Sequence, residues 1–442
     1  ALELCQALVR ESAADETEVT FEHGVEQFAR YAASGVTQSA DRERYELAVR
    51  VRLAGPGGLR EARASVAGCT LAEGRRALQR ALELASFAPP HPELVPLGGP
   101  VRVRDTRVHS ATLQHAFEDK ARLVAEAQGG GERGFEPAGL IQTSALAKAI
   151  VNSRGRAVYG QTGRFASNLT VTGEGGAGTA QASSARPNRA LCDSVVRTAW
   201  KKAMQSRDPR SIAPGEYTVV LEPLAVSSIL LFAAYQGFGA REVEEQSSFL
   251  CGREGKPIWP ESLTITDDPE NPLMPALAFD GEGTPKQRVV LVDRGRPCAP
   301  VTDRHFAARR GVESSGHAQA QPSGAGPAPQ NMVVQPGNES LAELVAGVER
   351  GLLVSQFHYT NAIDSKELLL TGMTRNGTFW IEDGRIRHPV KNLRFTESLV
   401  EALAGLTGVG KRVGVAGALF DGEIVTPPIR LARFRFTSAT DF

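Results

Sequence analysis

Eight histidines are the first place to look for chemistry: His23, His91, His109, His115, His305, His317, His358 and His388. A catalytic zinc takes about three protein ligands and keeps one position for water, and its usual helical signature is HExxH. No HExxH occurs, and the nearest pair, His109 and His115, is six positions apart, a poor helical spacing for two ligands of one metal. His317 stands in SSGHA just before a Pro-rich stretch. A glycine-flanked loop histidine can serve a site, and it can equally be a satisfied structural group. Glu242, Glu244 and Glu245 crowd together in REVEEQ, either as a solvated face or as an acidic ligand source. The five cysteines lie at least 47 positions apart, which removes a CxxC metal knuckle and a disulfide scaffold and leaves thiols in a reducing compartment.

Two glycine patterns imitate phosphate sites. Gly405–Lys411 spells GxxxxGK, but the text before it is helical, the text after it is strand-like, and the next residue is Arg412 where a magnesium-binding hydroxyl is needed. It reads as a helix-to-strand turn. Gly173–Gly178 spells GxGxxG, yet TAQASSARP follows where a helix should open, so a hairpin turn is the better reading. No GxSxG nucleophile elbow is present.

The elements that would position these groups alternate in texture. Strands are expected at Glu18–His23, Glu26–Ala33 and Tyr45–Leu53, a turn at Gly55–Gly58, and amphipathic helices at Leu71–Ala85, Thr112–Gln128 and Leu191–Gln205. Ile141–Ala185 reads as a meander of hairpins. Asp208–Pro214 reads as a linker, after which a strand at Tyr217–Leu221 and a strongly apolar helix at Ala225–Gln236 begin a β-rich second half. Further strands are expected at Arg288–Val292, Met332–Val334, Glu367–Thr371, Thr378–Ile381 and Val413–Phe420, with short helices at Ser340–Arg350 and Glu397–Gly405. Helices do not regularly separate the strands, which excludes a doubly wound sheet and favours two α+β domains, 1–212 with a mixed or antiparallel sheet and 213–442 β-rich.

The 442 residues carry 50 basic and 50 acidic side chains, and a formal charge of zero disfavours direct binding of nucleic acid. The most apolar run, Ile229–Tyr235, is far short of the ~20 residues that span a bilayer. No secretion signal is visible at Ala1–Arg10, so a soluble, cytoplasmic protein is expected.

An ordered set of phrases carries more information than any single motif. RGRAVYGQTGRFASNLTV at Arg154–Val171 comes first, then DGEGTP at Asp280–Pro285, SSGHA at Ser314–Ala318 and NMVVQPG at Asn331–Gly337. GTFWIEDGRI at Gly377–Ile386 and PVKNLRFTESLVEAL at Pro389–Leu403 complete the series. Together they resemble the TldD/PmbA family, once described as modulators of DNA gyrase. The resemblance implies a two-domain α+β metallopeptidase relative. In the TldD type an HExxxH helix follows a strand; its two histidines would bind metal, its Glu would act as general base, and a late Cys would be a further ligand. The PmbA (TldE) type lacks these groups and pairs with a TldD-type subunit.

In this chain LLFAAYQG, after YTVVLEP, stands where that helix belongs. Phe232 and Gly237 occupy the histidine positions and Ala233 the Glu position, and no Cys follows Cys298. None of the three side chains offers a lone pair to a metal. The resemblance therefore implies a PmbA-type, non-catalytic subunit of a metalloprotease complex acting on peptides or unfolded chains. It would bind no metal or other cofactor itself, with zinc expected only in the partner. That partner would be a TldD-like, HExxxH-bearing subunit, or a second copy in a homodimer. Two alternatives stay open: a peptidase with a rearranged metal site, or a non-proteolytic protein that modulates DNA gyrase. His317, His305, His358, Glu244 and Glu245 are the candidates for lining a substrate cavity.

Overall fold

The computed structural model describes residues 1–442 apart from 33–34, 115–116, 129–133, 174, 418–422 and 441–442. The fold is α+β and strand-rich. Its first half runs α1 (Leu2–Glu11), β1 (Glu16–Ala32), β2 (Gly35–Gly55), β3 (Gly58–Ala67), α2 (Leu71–Phe87), β4 (Pro90–His91), α3 (Ser110–Leu113), α4 (Phe117–Gln128), β5 (Phe135–Asn152), β6 (Ala157–Gly173), β7 (Gly176–Ser184) and α5 (Arg189–Gln205). The seven strands form one sheet in the order β4-β3-β2-β1-β5-β6-β7, antiparallel throughout.

Period-two alternation decides what each face of this sheet does. Odd-numbered positions such as Val19, Leu47, Val49, Ile141, Phe165 and Leu169 are buried in apolar clusters with α1 and α2 at one end and with α4 and α5 at the other. A capping box between Thr70 and Glu73 starts α2. Even-numbered positions, among them Glu18, Arg50, Lys148, Ile150 and Val158, lie on the opposite face, where Ile150 and Val158 pack against Phe279 of the second half. The expected helix at Thr112–Gln128 falls on two described helices, α3, which ends before Gln114, and α4; residues 115–116 and the expected stop at Gly129–Gly131 lie outside the described residues. The GEGGAG glycines sit at the β6–β7 hairpin; a Cβ on Gly176 would lie 2.8 Å from the Ala203 carbonyl of α5, so close packing explains that glycine.

The second half begins with β8 (Gly215–Leu221) and α6 (Pro223–Gln236), followed by α7 (Ala240–Glu244), β9 (Ile265–Asp267), β10 (Val289–Asp293), β11 (Arg296–Pro297), α8 (Arg304–Arg310), β12 (Asn331–Val334) and α9 (Leu341–Ala346). The remaining elements are β13 (Arg350–Asp364), β14 (Leu369–Glu382), β15 (Arg385–Pro389), β16 (Leu393–Ser398), α10 (Leu399–Ala404), β17 (Leu406–Val409), β18 (Gly414–Gly417), β19 (Glu423–Thr426) and β20 (Ile429–Ala439). One sheet orders β11-β10-β9-β12-β19-β18; in the other the pairings β13-β8-β20-β16-β14 close on themselves through β14–β13. Pro223 opens α6, where a missing N–H costs nothing. Ile229, Leu230, Leu231 and Ala233 bury α6 in the largest core. The two strands expected at Glu367–Thr371 and Thr378–Ile381 are one, β14, because Asn376 and Gly377, both at positive φ, form a bulge opposite Ser355 rather than a turn. Among the described residues no helix is long and apolar enough to cross a membrane.

Candidate functional site

Three layers meet around a cavity of about 460 Å³. The even face of the first sheet contributes Leu146, Lys148 and Thr162; α6 contributes Leu231, Ala234 and Tyr235; and the DGEGTP segment, β12 and β19 contribute Phe279, Asp280, Lys286, Asn331, Met332 and Ile424. Lys148 Nζ pairs with Glu22 of β1 at 2.9 Å. Lys286 Nζ donates to Asn331 Oδ1 at 3.3 Å. Burial of its ammonium pulls the Lys286 pKa below the ordinary lysine value, against the opposing pull of Asp267 and Asp280.

Behind the cavity, two buried carboxylates stitch together the phrases that the sequence singles out. Asp280 Oδ1 accepts from the Glu282 and Thr284 amides at 2.9 and 2.8 Å, and Oδ2 from the Ala318 amide at 3.0 Å. Burial still raises the pKa of this carboxyl. Asp267 Oδ2 accepts from the Gln330 and Asn331 amides, both at 2.7 Å. Its Oδ1 lies 3.2 Å from Nε2 of His317, whose Nδ1 is 3.0 Å from the Ser315 carbonyl. Burial alone would raise the Asp267 carboxyl, but His317, the Asn331 amide and Lys286 outweigh it and hold its pKa below the usual value. DGEGTP, SSGHA and NMVV are thus one polar frame under the cavity floor.

The two halves are joined beside this frame. Arg156 of RGRAVYG donates through Nη1 to the Glu282 carbonyl at 2.8 Å and to Thr284 Oγ1 at 3.0 Å. Arg50 Nη2 pairs with Glu18 at 2.8 Å, both deeply buried. Burial, reinforced by Asp280, pushes the Glu282 carboxyl up to about 7, against Arg50 and Arg304.

The positions that would carry metal ligands do not fit a metal. Phe232 packs against the main core, and Ala233 is buried. A Cβ on Gly237 would lie 2.5 Å from the Phe249 ring and 2.7 Å from the Ala233 carbonyl, so no histidine can stand there without rearrangement. Among the described residues no group of three or more His, Cys, Asp or Glu is arranged to hold a metal.

The other sequence candidates are dispersed. His317 is fully buried in the frame. His305 lines a second cavity of about 370 Å³ with Arg52, Glu61, Glu282 and Asp303. His358 sits on β13, its pKa lowered by partial burial and then by Arg375. Glu244 pairs with Arg309 and Glu245 with Arg241, each at 2.8 Å, at the surface. No hydrogen bond or ion pair joins any two of the five among the described residues. Sequence reasoning did not single out Lys286, Asp267, Lys148 and Glu282; the phrases DGEGTP and NMVV were the available signal, since they mark the loops that these groups hold.

Comparison with known proteins places the chain. A family profile described as the PmbA/TldA metallopeptidase C-terminal domain matches residues 214–438. A metalloprotease of Methanothermobacter thermautotrophicus is 26% identical over 239 residues, 53% of this chain and 52% of that one. A metalloprotease PmbA homolog of Haemophilus influenzae is 26% identical over 239 residues, 52% of this chain and 49% of that one. The match thus spans about half the length of these relatives. The crystal structure of TldE from Thermococcus kodakarensis shares the fold, with a TM-score of 0.89 at 20% identity over 98% of this chain and all of that one. With the profile covering half of it, this chain belongs to the PmbA/TldD metallopeptidase family and resembles its PmbA (TldE) type.

Proposed function

We propose that the chain is a non-catalytic subunit of a metalloprotease complex acting on peptides or unfolded chains, with residues 1–212 and 213–442 as its two domains. The observation that carries this reading is the closed helix: Phe232, Ala233 and Gly237 offer no ligand, and Phe249 fills the space beside Gly237. The cavity next to that helix then serves as substrate wall, while an HExxxH-bearing, TldD-like subunit supplies zinc, general base and bond cleavage. No step of hydrolysis is assigned to a residue of this chain. In the absence of such a partner, a two-fold homodimer is the default assembly.

The test is affinity purification of the tagged chain from its native cell. Recovery of an HExxxH-bearing chain, with chelator-sensitive cleavage of unfolded casein by the pair and none by this chain alone, supports the reading. Metal-dependent cleavage by this chain in highly purified form overturns it.

A further inference from the structure

The cavity has a chemical polarity that the subunit role does not by itself require. Leu146, Leu231, Leu277, Phe279, Met332 and Ile424 make most of its wall apolar, and about 460 Å³ falls within the ~300–1,000 Å³ usual for small-ligand pockets. The acids beside it already accept from backbone amides. Asp280 accepts three backbone amides, and Asp267 accepts two and meets His317. The basic groups are less fully used. An ammonium has three donors, and among the described residues Lys286 gives one of them, to Asn331 Oδ1. Lys148, paired with Glu22, adds a second ammonium from the first sheet.

A cavity with an apolar wall and an ammonium with donors to spare fits an apolar group that carries an anionic oxygen. We propose that it takes the C-terminal end of a peptide, with an apolar last side chain against Leu231, Met332 and Ile424 and the α-carboxylate on Lys286. This deepens, and rests on, the reading of the cavity as a substrate wall. It makes the chain an anchor for free chain ends, which an unfolded or already cleaved peptide presents and an internal loop does not. The charge-assisted hydrogen bond from Lys286 is the discriminating contact.

The test is calorimetric titration of the purified full-length chain with N-acetyl-Leu-Leu as the free acid and as its C-terminal amide. The acid should bind at least about tenfold more tightly, the scale of one charge-assisted contact. In Lys286→Met the two ligands should bind alike, whereas Lys286→Arg should keep a preference for the acid. Ala234→Phe, which fills the cavity from α6, should abolish binding of both; should Lys286→Met fail to fold, this variant and the acid–amide comparison on the parent decide the matter. Equal affinity for acid and amide in the parent, or no binding of either, overturns the proposal. A chain that captures an HExxxH subunit yet ignores the acid loses this inference alone. One that binds the acid but captures no such subunit loses the subunit reading instead.

Discussion

His317 Nε2 lies 3.2 Å from Asp267 Oδ1, and their side chains are 0% and 1% exposed. The Ser315 carbonyl lies 3.0 Å from the other ring nitrogen, so a polar atom stands beside each nitrogen of the imidazole. Removing one member of this buried polar pair leaves the other without its partner, at a cost of about 1–3 kcal/mol. His317→Ala should therefore lower unfolding stability by that amount in urea melts, and Asp267→Asn should do so in the same range. A loss below about 0.5 kcal/mol would show that the pair is dispensable.

Glu282 should make stability depend on pH. Its carboxyl, near 4.5 when exposed, stands at about 7 in the fold. Between those values the folded chain holds a proton that the unfolded chain releases. This contribution is complete below pH 4.5 and is lost as pH rises through 7, to the extent of about 2–4 kcal/mol. Asp280 and Asp303 are raised as well and act in the same direction. Glu282→Gln should flatten, without abolishing, the decline between pH 5 and 8 in denaturant titrations. An unaltered slope in the variant is the outcome that refutes this.

Restoring ligand types to α6 should not restore chemistry. Phe232→His with Ala233→Glu still lacks the second histidine, because Gly237 is sealed by Phe249. Ala233 is 3% exposed, so the new carboxylate would be buried without a partner. The double variant should stay inactive on casein and melt earlier, losing ~1–3 kcal/mol for each unsatisfied group. A melting temperature equal to the parent's would place the helix at the surface.

Gly237→Ala tests the same seal without adding polarity. Its new methyl would meet the fully buried Phe249, and overpacking of this kind costs about 1–3 kcal/mol. Thermal melting of the single variant is sufficient to check it.

Elemental analysis of the purified chain should find no stoichiometric zinc or iron. About one tightly bound transition metal per chain would sink the non-catalytic reading, since a catalytic zinc needs roughly three protein ligands.

Much of the fold is legible because local text and tertiary need agree. The amphipathic stripe of α2 and the all-round apolar α6 can each be read from the residues alone. The end of α3 at Gln114 has no Gly or Pro to mark it in the sequence. Asn376–Gly377 is ordinary turn text used as a bulge, which only the pairing with β13 determines. The site is less legible for a related reason. His317 stands out as a glycine-flanked loop histidine, but its partner Asp267 is an unremarkable polar residue until loops 50 positions apart fold onto one another and bury the two. What the sequence does reveal is a lack: no ligand at 232, 233 or 237.

The closed ring of strands carries a consequence for biosynthesis. β8 is held on one side by β20, and the Thr218 hydroxyl donates to the Ala432 carbonyl, 214 positions later. During synthesis, at roughly 5–20 residues per second, β8 emerges at least about ten seconds before that partner exists. Until then its edge is an unpaired row of amides and carbonyls beside the most apolar helix of the chain, the combination that recruits stray strands. The second half is thus the part of this protein most exposed to mispairing during translation. A stalled or truncated nascent chain ending before Ile429 should be captured and degraded, while the antiparallel meander of residues 16–184 completes its own pairings early.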